Sequence, residues 1–229
     1  LKLIVDDAIE LDSKDKLKLF LENWVSSHIK SELLDLLNLN NIKNKNGSIR
    51  ALCFQLYENN GVLKRDKINS MTKDLSKESK ACLRKMGIQL GRYHLFLPKM
   101  LKPHAVALRT SLWKNYFHNN EKIEPPKFGL NFLTNKNKKV KKFFMICGFE
   151  NFENFYVRVD ILERLFLKII ESSKNGKFKL HSDMINLIGC SKENFIKLLN
   201  LMDYKYEKPN NNNEEFFIYR PKKHLKIKK

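Results

Sequence analysis

Between Asp160 and Tyr219 the apolar residues change period in a set order, and that order leaves few folds open to this end of the chain. Ile161, Leu162, Leu165, Ile169 and Ile170 return at steps of three and four, the mark of one helical face. Asp160-Ile161-Leu162-Glu163 reads as a capping box opening that helix. A shorter helix follows around 182–188, then the tight turn Gly189-Cys190-Ser191, then a third helix capped by Ser191 that buries Phe195, Leu198, Leu199 and Met202. Two β-prone runs, Tyr204–Tyr206 and Phe216–Tyr219, flank a turn-forming stretch from Pro209 to Asn213.

Helix, helix, tight turn, helix, β-hairpin is the order of a winged helix-turn-helix. In versions that bind DNA the third helix enters the major groove. Here its polar face carries Lys192, Glu193, Asn194, Lys197 and Asn200, a mixed set suited to a scaffold or to RNA contact more than to reading bases. Upstream, Phe143–Phe149 and Phe155–Val157 read as strands.

The first 120 residues follow a helical grammar. Leu17, Phe20, Leu21, Trp24, Val25, Ile29, Leu33, Leu36 and Leu37 predict an amphipathic helix over 14–39 with Ser13 as N-cap. Ile49, Leu52, Cys53, Leu56 and Tyr57 predict a second, stopped by Asn60-Gly61. A weaker helical segment spans 64–75 with Ile68, Met71 and Leu75 inward, and a further helix spans 76–86, capped by Ser76 and ended by Gly87. Ile88, Leu90, Leu95 and Leu97 alternate around Gly91 as a short hairpin. Pro103 suits the first turn of a helix facing Ala105, Leu108, Leu112, Trp113 and Tyr116 inward. Pro125-Pro126 and the run 135–142 read as a polar, basic linker. The expected fold class is thus mainly α: a helical bundle domain over 1–130, a small α+β winged-helix-like domain over 143–221, and a basic tail over 222–229.

Charge is unevenly spread. Residues 61–142 hold 20 basic and 5 acidic groups, net +15, whereas 1–60 are net −1 and 143–229 are net +5. Such a field attracts polyanions, nucleic acid first among them, because each cation on a phosphate releases condensed counterions. The 36 Lys against 8 Arg, with 25 Asn, fit A/T-rich coding, but that bias exchanges Arg for Lys without changing charge, and acids are nearly absent from 79–120. Arg92-Tyr93-His94, followed by Lys99, Lys102 and Arg109, mixes cations with aromatics as single-stranded RNA sites do. The alternative is a core Tyr93 and solvated cations. Lys192 and Lys197 on the third helix, and Lys222 and Lys223 in the tail, complete the candidate nucleic-acid contacts.

Several chemistries have no signature. The sequence has no phosphate loop, dinucleotide fingerprint, His-Glu-x-x-His or Gly-x-Ser-x-Gly, so no catalytic residue, cofactor site or metal site is assigned. Cys53, Cys82, Cys147 and Cys190 form no Cys-x-x-Cys pair and read as free thiols of a reducing compartment. Six histidines show no ligand spacing; His28 reads as a boundary residue and Asp6-Asp7 as a polar edge. No uncharged run approaches a bilayer span, and the opening Leu1–Asp7 does not read as a signal peptide. With no initiator Met, the expectation is a cytoplasmic piece of something longer.

Three blocks carry a family resemblance: Gly47–Arg65 with its Asn59-Asn60-Gly61 stop; Leu83–Pro103 with Leu95-Phe96-Leu97-Pro98 and Leu101-Lys102-Pro103; and Val157–Leu165. With the Trp24 helix before them and Leu187-Ile188-Gly189-Cys190-Ser191 after, they resemble the C-terminal region of alphaproteobacterial superfamily-two helicases of the DExH type, similar to the RNA helicase of the mitochondrial degradosome. The resemblance implies an accessory region that packs on two upstream RecA-like motor domains and helps hold the tracking strand. It implies RNA, or DNA, as ligand, ATP and Mg for the full-length enzyme, and a degradosome-type nuclease as partner. It carries over no catalytic residue. A free-standing winged-helix DNA-binding protein, and a scaffold whose charge only keeps it soluble, are the other readings.

Overall fold

A computed structural model describes residues 4, 10–42, 45–73, 75–117, 123–173, 176–207 and 215–220. Asp6, Asp7, the stretch 209–213 and the tail 222–229, with Lys222 and Lys223, lie outside the described residues. The described chain is mainly helical with three small sheets. It divides into two compact units. The first comprises residues up to Leu63, Ile68–Gln89 and Phe96–Asn119, and the second Lys64–Lys67, Leu90–Leu95 and residues from Asn120 on. No helix among the described residues is long and apolar enough to cross a membrane.

The first unit opens with α1 (Leu11–Glu32), followed by α2 (Leu34–Asn38) and α3 (Gly47–Glu58). The single helix expected over 14–39 is broken at Leu33, and Glu10, not Ser13, stands at the N-cap without a side-chain bond. No residue of α1 is buried, and Trp24 is 56% exposed with His28 stacked on it at 5.3 Å. The core lies instead under α2 and α3, on Leu33, Leu36, Leu39, Ile49, Leu52, Cys53 and Leu56. Asn46 caps α3 by accepting from the Ser48 N–H.

Strand β1 (Val62–Lys64), a 3-10 turn and α4 (Asn69–Lys73) replace the helix expected over 64–75; Ile68 and Leu75 are buried but Met71 is exposed. In α5 (Lys77–Lys85) Ser76 caps as expected, accepting from the Ser79 N–H at 3.2 Å. β2 (Gln89–Leu90) and β3 (His94–Phe96) form the hairpin around Gly91, and the sheet order is β1-β3-β2. Helix α6 (Pro103–Tyr116) starts at its proline but turns a different face inward. Ala105, Val106, Arg109 and Thr110 are buried, while Leu112 and Tyr116, expected inside, are exposed. Polar satisfaction rotates the helix: the Thr110 hydroxyl donates to Val106 O, and the Arg109 guanidinium needs interior carbonyls that an apolar count does not see.

The second unit contains a sheet of β4 (Phe132–Thr134), β5 (Phe149–Phe152) and β6 (Phe155–Arg158), antiparallel in the order β4-β6-β5. Between β4 and β5, α7 (Lys141–Ile146) stands where a linker and a strand were expected. The reason is legible afterwards. Val140, Phe143, Phe144 and Cys147 are all buried and lie at helical spacing behind the surface lysines.

Helix α8 (Val159–Ser172) buries Ile161, Leu162, Leu165 and Ile169 but leaves Ile170 exposed. β7 (Lys177–Lys179), α9 (Ser182–Ile188), α10 (Lys192–Leu201), β8 (Tyr204–Glu207) and β9 (Phe216–Tyr219) follow, with antiparallel sheet order β7-β9-β8. Gly189 ends α9 at φ +75°, a left-handed position that suits glycine, and its N–H reaches Ile185 O at 2.8 Å. Ser191 caps α10 by accepting from the Asn194 N–H at 3.3 Å. One core joins these elements through Leu162, Leu165, Phe178, Ile188, Phe195, Leu198, Leu199 and Phe217.

Candidate nucleic-acid interface

The expected cluster of Arg92, Tyr93 and His94 turns out to be a folded loop gripped by an acid. Glu163 is not a capping residue. Arg158 stands at the N-cap of α8 with no side-chain cap bond, and Asp160 instead pairs with the Arg158 guanidinium at 2.7 Å. Glu163 Oε1 accepts from the backbone N–H groups of Tyr93 and His94 at 2.8 Å each, and Oε2 from that of Arg92 at 2.5 Å. Gly91 makes room for this grip, because a Cβ there would sit 2.6 Å from Oε2. Three oriented N–H donors around one carboxylate form a strong, charge-assisted anchor.

His94 is 1% exposed and closes the cluster. Its Nε2 lies 2.8 Å from Glu150 Oε2, and Lys64 Nζ donates to Glu150 Oε1 at 2.9 Å. Nδ1 stands 3.4 Å from Glu163 Oε1, an ionic approach without hydrogen-bond alignment, since that oxygen already accepts two backbone N–H groups. Burial disfavours the His94 cation, but its bond to Glu150 and the negative charges of Glu150 and Glu163 outweigh that and raise its pKa. For Glu150 burial acts upward, yet His94 and Lys64 prevail and its pKa is lowered. Tyr93 packs edge-on against Phe166 at 5.2 Å, and burial, with the Tyr204 hydroxyl beside it, pushes its pKa up. Of this trio Arg92 alone is exposed, its guanidinium over the Phe166 ring. His94 and Tyr93 are thus structural, and a phosphate or base has no approach to the buried imidazole.

Arg109 is also inside, at 3% exposure. Its guanidinium donates to Asn60 O and Met100 O, and Nε to Ala105 O at 3.4 Å, so it ties α6 to two neighbouring turns of the first unit. It does not share a surface with Lys99 and Lys102. Both of those are exposed, and Lys99 pairs with Asp35 at 2.9 Å.

In the second unit, Lys192 pairs with Glu215 at 2.7 Å, whereas Lys197 lines a groove of about 650 Å³. One side of the groove is α10, through Asn194, Lys197, Asn200 and Leu201. The other is the end of the β4-β6-β5 sheet, through Thr134, Asn135, Lys136, Glu153, Asn154 and Phe155. Lys136 and Asn135 belong to the 135–142 run, whose polar, basic composition predicts a linker and hides them; Asn194 and Asn200 are legible as the polar face of the third helix. The groove offers amide donors and acceptors, two lysines and one half-buried aromatic ring.

No protein-family model matches the chain, and neither a curated protein nor a solved structure matches it. Among the described residues no group of three or more His, Cys, Asp or Glu side chains could hold a metal ion. None of the four cysteines is in a disulfide; burial pushes the Cys53 and Cys190 thiols up to about 11.

Proposed function

We propose that this chain is a nucleic-acid-contacting accessory region of an ATP-dependent RNA helicase, with the ATPase core, its ATP and its Mg upstream. One observation carries the nucleic-acid part. Among the described residues no lysine of the basic segment is buried, while two acids that could neutralise it are spent inside: Glu150 and Glu163 are buried and committed to Lys64, His94 and the 92–94 backbone. Exposed cations then outnumber exposed acids, as a phosphate-binding surface requires. The helicase part rests on the resemblance of the three sequence blocks. Arg109 and His94 belong to the framework in this reading, and the contacts fall to Arg92, Lys99, Lys102 and Lys197.

The test is a mobility-shift titration of the full chain with single-stranded RNA and with a mixed-sequence DNA duplex at about 50 and 200 mM salt, a range over which six phosphate contacts lose about three decades of affinity. Salt-dependent binding with little sequence preference is expected, and no binding at the lower salt refutes the reading.

A second reading, a stand-alone winged-helix DNA-binding protein, is favoured by the order α8-β7-α9-α10-β8-β9 with sheet order β7-β9-β8, a three-helix and ribbon arrangement around one core. It predicts a discrete duplex preference.

A further inference from the structure

In a winged helix that reads duplex DNA, the helix after the tight turn carries the contact. α10 holds that place in the chain order, and its polar face runs along Asn194, Lys197 and Asn200, nearly two turns. That face is not open on both sides. Asn135, Lys136 and the 153–155 turn stand along it and enclose the groove. An α-helix with its side chains is about 10–12 Å across and the major groove about 12 Å wide. A helix therefore enters a major groove alone, and α10 would have to bring the sheet end in with it.

A single strand has no such constraint. Unstacked bases expose edges that a carboxamide can meet with both a donor and an acceptor, and phosphates follow lysines set on the walls. Lys197 on one wall and Lys136 on the other supply the cations; Asn194 and Asn200 supply the amides; Phe155 supplies an aromatic surface for stacking. Glu153, also in the lining, repels phosphate from its side and favours a backbone held toward the lysines. We propose that the groove between α10 and the β4-β6-β5 sheet end is a single-strand site, which takes unstacked nucleotides and excludes duplex. The proposal rests on the nucleic-acid reading above and goes further by assigning the site and the strandedness.

The experiment uses fluorescence anisotropy of the full chain with a labelled 12-nucleotide single-stranded RNA, the same sequence as a duplex, and an abasic strand. Asn194→Ala with Asn200→Ala should weaken binding to the RNA strand roughly tenfold and leave the abasic strand unaffected. Lys136→Ala with Lys197→Ala should flatten the salt dependence of both strands by about 1.4 in log–log slope, two phosphates at about 0.7 each. Alanine on α10 is a better helix former than asparagine or lysine, so both pairs should keep the helix, and far-UV circular dichroism of each variant checks its fold before binding is read. Unchanged RNA affinity in both pairs overturns the groove while the nucleic-acid reading survives. Equal losses on duplex and single strand overturn the strandedness. Wild-type chain that binds neither probe overturns both.

Discussion

Gly91→Ala is the substitution that most directly tests how the 91–94 loop is held. The new Cβ would lie 2.6 Å from Glu163 Oε2 and 2.8 Å from Oε1, well inside contact distance. A glutamate end is normally free to swing away, but this one accepts three backbone N–H bonds. Hydrogen bonds to a charged group contribute about 1.5–3 kcal/mol each, so a shift that gives up two of them costs about 3–6 kcal/mol. That is a large part of the roughly 5–15 kcal/mol that holds a typical domain. Glu163→Gln should cost about 2–4 kcal/mol, because its amide nitrogen faces N–H donors and accepts from none. If Gly91→Ala acts by displacing the carboxylate, the double variant costs little more than either alone, a coupling of about 2 kcal/mol. Urea unfolding followed by far-UV circular dichroism measures this. Both tryptophans, Trp24 and Trp113, lie in the first unit, so their fluorescence reports on that unit only. Additive losses, or a Gly91→Ala cost below about 0.5 kcal/mol, would refute the account of the grip.

The same cluster sets a pH dependence. His94 has a raised pKa in the fold, so its contribution is full below its ordinary 6.5 and is lost as pH rises through the folded value. Glu150 has a lowered one, so its contribution is full above its ordinary 4.5 and is lost as pH falls through the folded value. With Lys64 and Glu163 as the other charges facing His94, the urea midpoint of the second unit should peak between 4.5 and 6.5, and His94→Gln should flatten the alkaline side; a wild-type midpoint that rises above pH 7 contradicts this. Arg109→Met should destabilise the first unit by about 2–4 kcal/mol, since Asn60 O and Met100 O lose a charged donor in the interior. Trp113 fluorescence during urea unfolding reads this loss, and a neutral effect would return Arg109 to the surface set.

The α-rich class, the caps at Ser76 and Ser191 and the helix pair flanking Gly189 were legible because each rests on residues close in sequence. What misled was longer in range. Glu163 sits three residues after Asp160 like a capping acid, yet its partners are some 70 residues upstream, and no local pattern announces a backbone that donates three times to one side chain. Arg109 looked like one cation among several because sequence shows charge and not the carbonyls at Asn60 and Met100 that hold it. Val140, Phe143, Phe144 and Cys147 carried a helical period in plain view, masked by five lysines between 136 and 142 that suggested a solvated linker. The groove was half visible: α10's polar face could be read from its spacing, while the sheet end beside it depends on the pairing of β4 with β6.

Photo-crosslinking of the full chain to a single-stranded RNA carrying 4-thiouridine, followed by mapping of the attached peptides, tests the central claim most directly. Crosslinks concentrated in residues 134–136, 153–155 and 192–201, and competed away by unlabelled single strand but not by duplex, are the predicted result. Crosslinks confined to other segments, or competed equally by duplex, would contradict the account.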